Sequence, residues 1–152
     1  MTNQTSQTIA SNQALVENFK RMYQNFGALT LDELNKVYTQ DIEFKDPVHN
    51  LKSIFQLKQY FEHSSANLLS CDFSYDSDVI GENNAYLTWN MTITHKKINN
   101  SQPVTVRGMT EIRFTQKIFY HEDSYDVGAM VYQHIPLIGG LIKRINKRIC
   151  NQ

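Results

Sequence analysis

What most constrains this chain is a change of period part-way along it. Up to about residue 69 the apolar residues recur at helical spacing; from residue 73 they alternate. The stretches 73–79, 85–95, 103–115 and 117–125 read as four strands, because side chains of an extended backbone point to opposite faces in turn. Leu87, Trp89, Met91 and Ile93 alternate with Thr88, Asn90 and Thr92. Val104, Val106, Ile112 and Phe114 alternate with Thr105, Arg107, Glu111 and Arg113. One apolar and one polar face is the mark of half-buried antiparallel strands. Gly81-Glu82-Asn83-Asn84, Asn99-Asn100-Ser101-Gln102 and Thr115-Gln116 supply the turns between them. Gly108, inside its strand, predicts a bulge or sharp bend.

Ahead of these strands, residues 1–10 are polar and read as a disordered lead-in. Leu15, Phe19, Met22 and Phe26 then lie four, three and four apart, one face of a helix that Gly27 ends. Thr30-Leu31-Asp32-Glu33 is a capping-box signature and opens a short second helix with Leu31, Leu34 and Tyr38 inward. Residues 41–46 alternate as a strand that Pro47 stops, and a third helix, 54–69, turns Ile54, Leu57 and Phe61 to one side. Helices first and an antiparallel meander afterwards is an α+β arrangement: three N-terminal helices packed on one face of a strongly bent, mixed or antiparallel sheet. Residues 11–134 make one domain. Residues 135–152 add an amphipathic helix to it, with Leu141, Ile142, Ile145 and Ile149 as its stripe and Lys143, Arg144, Lys147 and Arg148 around the rest.

With 15 basic and 15 acidic residues the chain has no net field to draw in nucleic acid. Nor does it carry a basic patch interleaved with aromatics. No apolar run approaches the roughly 20 residues of a spanning helix, and the first residues lack a signal-peptide pattern. Cys71 and Cys150 are too far apart in sequence for a zinc motif or a disulfide framework and read as free thiols. A cytoplasmic location is expected.

Alternation in 117–125 puts Phe119, His121, Asp123 and Tyr125 on one strand face. A histidine, a carboxylate and a phenol in a row make a poor dry core, because buried polar groups cost free energy unless paired. They suit a wet pocket with acid/base chemistry, in which a histidine beside a carboxylate titrates near neutral pH. Asp46-Pro47-Val48-His49 ends an earlier strand with another such pair. Asp46, His121, Asp123 and Tyr125 are therefore the candidate catalytic residues. Met22, Phe61, Trp89 and Met91 are the candidate lining, and His49 either orients Asp46 or meets the ligand. Each has a plainer reading: Asp46 as acceptor of turn amides, His121 with Asp123 as a structural couple, Trp89 and Met91 as core, His49 as solvated loop. None of the spacing is a metal motif, and neither metal nor cofactor is expected.

Phe44-Lys45-Asp46-Pro47-Val48-His49, Leu87-Thr88-Trp89-Asn90-Met91-Thr92, residues 120–130 and Pro136-Leu137-Ile138-Gly139 resemble a group of bacterial SnoaL-like proteins of unassigned activity. That group lies within the nuclear transport factor 2-like superfamily, whose members include ketosteroid isomerase, scytalone dehydratase and limonene epoxide hydrolase. The resemblance implies a cone-shaped α+β fold and commonly a homodimer, but no single reaction. Asp46 is similar in place to the proton-shuttling carboxylate of the isomerase. The isomerase's oxyanion tyrosine and aspartate fall on Met22 and Thr110, so steroid isomerisation is not expected. The resemblance to SnoaL-like cyclases instead gives Asp123 the place of their acid/base aspartate. The Asp-Arg-Asp set of the epoxide hydrolases has only Arg107 as a weak counterpart.

The expected function is acid/base chemistry of isomerase, cyclase or hydrolase type on a small apolar carbonyl or cyclic compound. Two alternatives stay open: a non-catalytic ligand-binding or regulatory module, and a homodimer that uses Thr88, Asn90, Arg107, Glu111 and Arg113 on the outer sheet face. The C-terminal helix is read first as a lid or dimer buttress, then as a helix on an anionic membrane surface, for which four charges give weak attraction, or as a solvated face.

Overall fold

The computed structural model describes residues 2–135 and 138–150, with the backbone alone for residues 2–6. The Pro136 and Leu137 of the last family motif therefore lie outside the described residues. Five helices pack with a curled, unclosed sheet of six strands in the order β2-β1-β6-β5-β4-β3. β1 (Tyr38–Lys45) runs parallel to β6 (Ile118–Tyr125), and every other pairing is antiparallel: β2 (Asn50–Leu51), β3 (Leu68–Ile80), β4 (Asn84–His95) and β5 (Val104–Phe114). The α+β class expected from the change of period, and the cone that the resemblance implies, are what form.

α1 (Thr2–Tyr23) corrects the reading of residues 1–10 as a disordered lead-in. The segment is polar, but no glycine or proline interrupts residues 1–23, so the packed half of the helix propagates outward at one hydrogen bond per residue. Asn12 pins it: its Nδ2 donates to the carbonyls of Gly81 and Glu82, at 3.0 and 2.9 Å, in the β3–β4 turn. The buried face is Asn12, Val16, Phe19, Met22 and Tyr23. Helix geometry ends at Tyr23, ahead of Gly27, and Phe26 belongs to a 3-10 turn (Phe26–Ala28).

α2 (Leu31–Val37) has the expected capping box, with the Thr30 hydroxyl accepting from Glu33 N and Glu33 accepting from Thr30 N at 2.8 Å. It buries Leu34 and Val37, while Tyr38 leaves the helix to begin β1. α3 (Ile54–Ser65) is capped by Ser53 and buries Ile54, Leu57 and Phe61. Together with Phe19, Phe44, Leu87, Ile112, Phe114 and Ile118, these side chains make the core between the helices and the inner sheet face.

Gly108 and Phe119 both differ from the sequence reading. β5 is regular through Gly108, with no bulge in its pairing to β4. The residue is glycine because the Trp89 indole lies against it: a Cβ there would sit 2.1 Å from a ring carbon. The bulge is at Phe119 instead, where the β5–β6 register slips between Ile118 and Tyr120. One extra residue turns the following side chains to the other face. Ile118 is buried with His121, and Phe119 is exposed, contrary to the sequence reading.

On the outer face, Thr88 bonds Ser77 at 2.8 Å, Asn90 reaches Asp76 at 3.0 Å, and Arg113 pairs with Glu111 at 2.7 Å. After β6 the chain forms a one-turn helix, α4 (Val127–Met130), capped by Asp126. A 3-10 turn (Tyr132–His134) and α5 (Ile138–Cys150) follow. α5 packs chiefly on that 3-10 turn. Gly139 makes this approach possible, since a Cβ there would lie 2.2 Å from the Gln133 carbonyl oxygen. Among the described residues no helix is long and apolar enough to cross a membrane.

Candidate functional site

The register of β6 builds the first half of the site. Ile112 is opposite His121, Thr110 opposite Asp123 and Gly108 opposite Tyr125, so these side chains share the inner face. His121 Nε2 lies 2.8 Å from Asp123 Oδ1. Its Nδ1 lies 2.8 Å from the Tyr38 hydroxyl and 3.3 Å from the Tyr23 hydroxyl, and the two hydroxyls are 3.2 Å apart. The imidazole is fully buried, edge-on to Phe19 and Phe44.

The donor inventory orients this network. Trp89 Nε1–H can only donate, and it points to Thr110 Oγ1 at 2.8 Å. The Thr110 hydroxyl hydrogen is then free to donate to Asp123 Oδ1 at 2.5 Å. An ionised Asp123 accepts only, so the hydrogen between it and His121 sits on Nε2, and in that tautomer Nδ1 accepts from Tyr38. Burial pushes the phenols of Tyr23 and Tyr38 far above their ordinary pKa, and the Asp123 charge adds to the rise. They stay donors. Both protein donors to Asp123 end on Oδ1, which leaves Oδ2 without a donor among the described residues.

A second Asp–His pair closes β1. Asp46 Oδ1 accepts from the backbone N–H of Val48 at 2.7 Å and of His49 at 2.6 Å, the turn chemistry of an Asx residue before proline. His49 Nδ1 stands 3.1 Å away, and the Tyr60 hydroxyl donates to Oδ2 at 2.7 Å. Asp46 is 1% exposed and His49 43%. Burial, the hydrogen bond to Asp46 and the Asp46 charge together raise the Tyr60 phenol well above its ordinary pKa.

Between α3, the 3-10 turn Phe26–Ala28 and the inner sheet face lies a cavity of about 220 Å³. Its walls are mainly apolar and aromatic: Phe26, Phe61, Phe73, Trp89, Met91 and Ile93, with the rings of Tyr23, Tyr60 and Tyr125. Among the described residues Asp123 is its only carboxylate; Ser64, Cys71 and His95 are its other polar groups of note. Burial raises the Cys71 thiol to about 12, so it is not a nucleophile at neutral pH. Burial, then the Asp46 and Asp123 carboxylates, raise the Tyr125 phenol. A larger open groove of about 800 Å³ between α1 and the β3–β4 turn holds Asp78, already paired with Lys20 at 3.2 Å, and no histidine.

Of the residues singled out in the sequence, Asp123, Tyr125, Phe61, Trp89 and Met91 line the cavity. Four do not. His121 stands one bond behind Asp123, enclosed by aromatic rings. Asp46 stands behind Tyr60, with Oδ1 taken up by backbone amides. His49 lies on the loop outside. Met22 faces α2 and Val37, because it precedes by one residue the position that enters the site, Tyr23. Tyr23 was legible as the residue four after Phe19. Tyr38 was legible as an inward residue but not as a partner of His121, and Tyr60 carries no local signal; only the parallel β1–β6 pairing and the α3–β1 contact bring them in. No residue of α5 lines the cavity, so a lid is not what this helix forms. Among the described residues no cluster of three His, Cys, Asp or Glu is placed to hold a metal ion.

A family model for the SnoaL-like domain matches residues 19–121, from the middle of α1 to the buried histidine. The chain belongs to the SnoaL-like family. Solved structures share the fold. A nuclear transport factor 2-like protein of unknown function from Burkholderia pseudomallei superposes with a TM-score of 0.69 at 12% identity, over 79% of this chain and 94% of that one. A protein from a Jannaschia species assigned as a SnoaL-like polyketide cyclase gives 0.68 at 13% identity, over 78% and 90%. AclR from Streptomyces galilaeus, assigned as a hydroxylase, gives 0.65 at 18%, over 80% and 82%. At these identities the likeness establishes the fold, not the reaction. A search of curated proteins finds no match.

Proposed function

We propose that this SnoaL-like domain performs acid/base chemistry on a small, mainly apolar carbonyl or cyclic compound, with Asp123 as the proton acceptor. The observation that carries the reading is, among the described residues, a single carboxylate in an aromatic cavity, held through Oδ1 by Thr110 and His121 while Oδ2 stays without a donor. Oδ2 takes a proton from the carbon beside a carbonyl. The electron pair of that C–H bond moves toward the carbonyl oxygen, which accepts a hydrogen bond from the Tyr125 phenol. Returning the proton elsewhere on the ligand is isomerisation; attack of the new carbon nucleophile on a second carbonyl of the same molecule is cyclisation. A positioned general base of this kind contributes about 10²–10⁴ in rate.

A second reading, a binding site without turnover, is favoured by one observation. The Tyr23 hydroxyl is turned into the relay with Tyr38 and His121, so an oxyanion in the cavity has fewer donors than catalysis benefits from.

Solvent deuterium incorporation into a panel of enolisable ketones and β-diketones, followed by NMR, tests both readings. Wild-type protein is expected to accelerate exchange in at least one compound. Asp123→Asn is expected to lower that rate about 10²–10⁴-fold while ligand-induced shifts persist. Ligand shifts without exchange in the wild type would leave the binding module as the function.

A further inference from the structure

The proposed chemistry makes no use of α5. Its Ile138, Leu141, Ile145 and Ile149 face solvent, each between 48% and 67% exposed. At 3.6 residues per turn these four fall within about 100° of the helix circumference. Tyr132 and Ile135, also exposed, lie in and just after the 3-10 turn on which the helix packs. An aliphatic stripe this regular, left in water, marks an interaction surface.

Charge identifies its partner. Lys143, Arg144, Lys147 and Arg148 cover the rest of the helix, and residues 138–150 contain no acidic residue. None of the four cations is in an ion pair among the described residues. Elsewhere 11 basic residues face 15 acidic ones, and six of those carboxylates are engaged by cations. Glu17, Glu43, Glu62, Asp76, Asp78 and Glu111 each meet a lysine or arginine of their own domain. Packing α5 against the α5 of a second copy would bring the like charges of the two helices together. Nucleic acid would take up the cations and leave the aliphatic stripe wet.

We propose that α5 is an interfacial anchor for an anionic lipid surface. Its stripe enters the acyl boundary, and its lysines and arginines lie at the headgroups. Arg144 and Arg148 border the stripe along one side of the wheel, where long side chains can bury their stems and keep their charge at the headgroup level. The seat of Gly139 against Gln133 leaves that stripe facing away from the domain.

Flotation of the full-length protein with vesicles tests this. Binding is expected to vesicles of phosphatidylcholine mixed with phosphatidylglycerol, and not to phosphatidylcholine alone, with loss as salt is raised. Leu141→Glu and Ile145→Glu should each abolish it. Replacing Lys143, Arg144, Lys147 and Arg148 by Gln together should lower the partition coefficient by about two to three orders of magnitude, since each cation near such a surface is worth roughly a fivefold factor. All these positions are exposed, and an unchanged thermal melt confirms that the variants fold. Three results would overturn the proposal: no binding to the mixed vesicles at low salt, binding that the four-cation replacement leaves intact, or a wild-type oligomer in sedimentation that Leu141→Glu dissolves. The last would assign the stripe to a second copy.

Discussion

The domain holds two Asp–His pairs of the same composition with opposite fates. In the β6 pair, His121 is fully buried and Asp123 is 15% exposed at the cavity wall. The imidazole is held on its far side by two tyrosines, and the carboxylate keeps one oxygen toward the cavity. In the β1 pair the order is reversed: Asp46 is the enclosed partner and His49 stands in solvent. Its carboxylate oxygens accept from two backbone amides and from Tyr60. A carboxylate already saturated by donors serves a turn. One with an oxygen to spare in an apolar wall can serve a ligand. The difference arises from which member of the pair the sheet encloses, not from the residues themselves.

The comparison is broken first by removing the enclosed partners. His121→Ala leaves a cavity in the aromatic core and takes a partner from both Asp123 and Tyr38. A loss of about 3–5 kcal/mol in denaturant unfolding is expected. Asp46→Ala frees two amides and the Tyr60 hydroxyl at the end of β1, at a cost of about 2–3 kcal/mol, with ligand binding in the cavity weakened only through Tyr60. Equal losses of binding in the two variants would mean that the pairs are not functionally distinct.

Smaller changes sharpen it. Thr110→Val removes the acceptor of Trp89 Nε1 and one donor to Asp123, with an expected destabilisation of about 1–3 kcal/mol in denaturant unfolding. Alkaline stability reads the tyrosines behind His121. Tyr23 and Tyr38 have raised pKa values in the folded state, so their stabilising effect is present below the ordinary value near 10. It is lost as pH climbs from there toward the folded values, because only the unfolded chain releases those protons. Above pH about 10 each such tyrosine should lower stability by about 1.4 kcal/mol per pH unit, and Tyr23→Phe should lessen that slope by about one tyrosine's share. The smallest effect is expected at His49→Ala, within about 0.5 kcal/mol by thermal melt, because its pair with Asp46 has one exposed member. A larger loss there would make the β1 pair more than a turn.

Much of the site was legible in the chain because strand alternation needs only local order. Asp123, Tyr125, Trp89 and Met91 follow from period two, and Phe61 follows from helical period. His121 was legible as an inward residue, but not as one enclosed behind Asp123. Phe119 was misread because a single bulged residue changes the face without changing the composition. Gly108 was legible as a special position, but its reason, the Trp89 ring lying on it, comes from the neighbouring strand.

By itself the sequence determined the α+β class, the inner and outer faces of β4 and β5, the capping box of α2 and the amphipathic pattern of α5. All of these rest on contacts within one turn of helix or one pleat of strand. Only the tertiary structure decided that Tyr23 rather than Met22 enters the site, that Tyr38 and Tyr60 support the two carboxylates, and that Asp46 is capped away from the cavity. It also decided that the stripe of α5 is left uncovered. These outcomes depend on the parallel β1–β6 pairing, the curl of the sheet and the angle at which a helix meets it. Such geometry is set by the packing of residues far apart in the chain, and no local period encodes it.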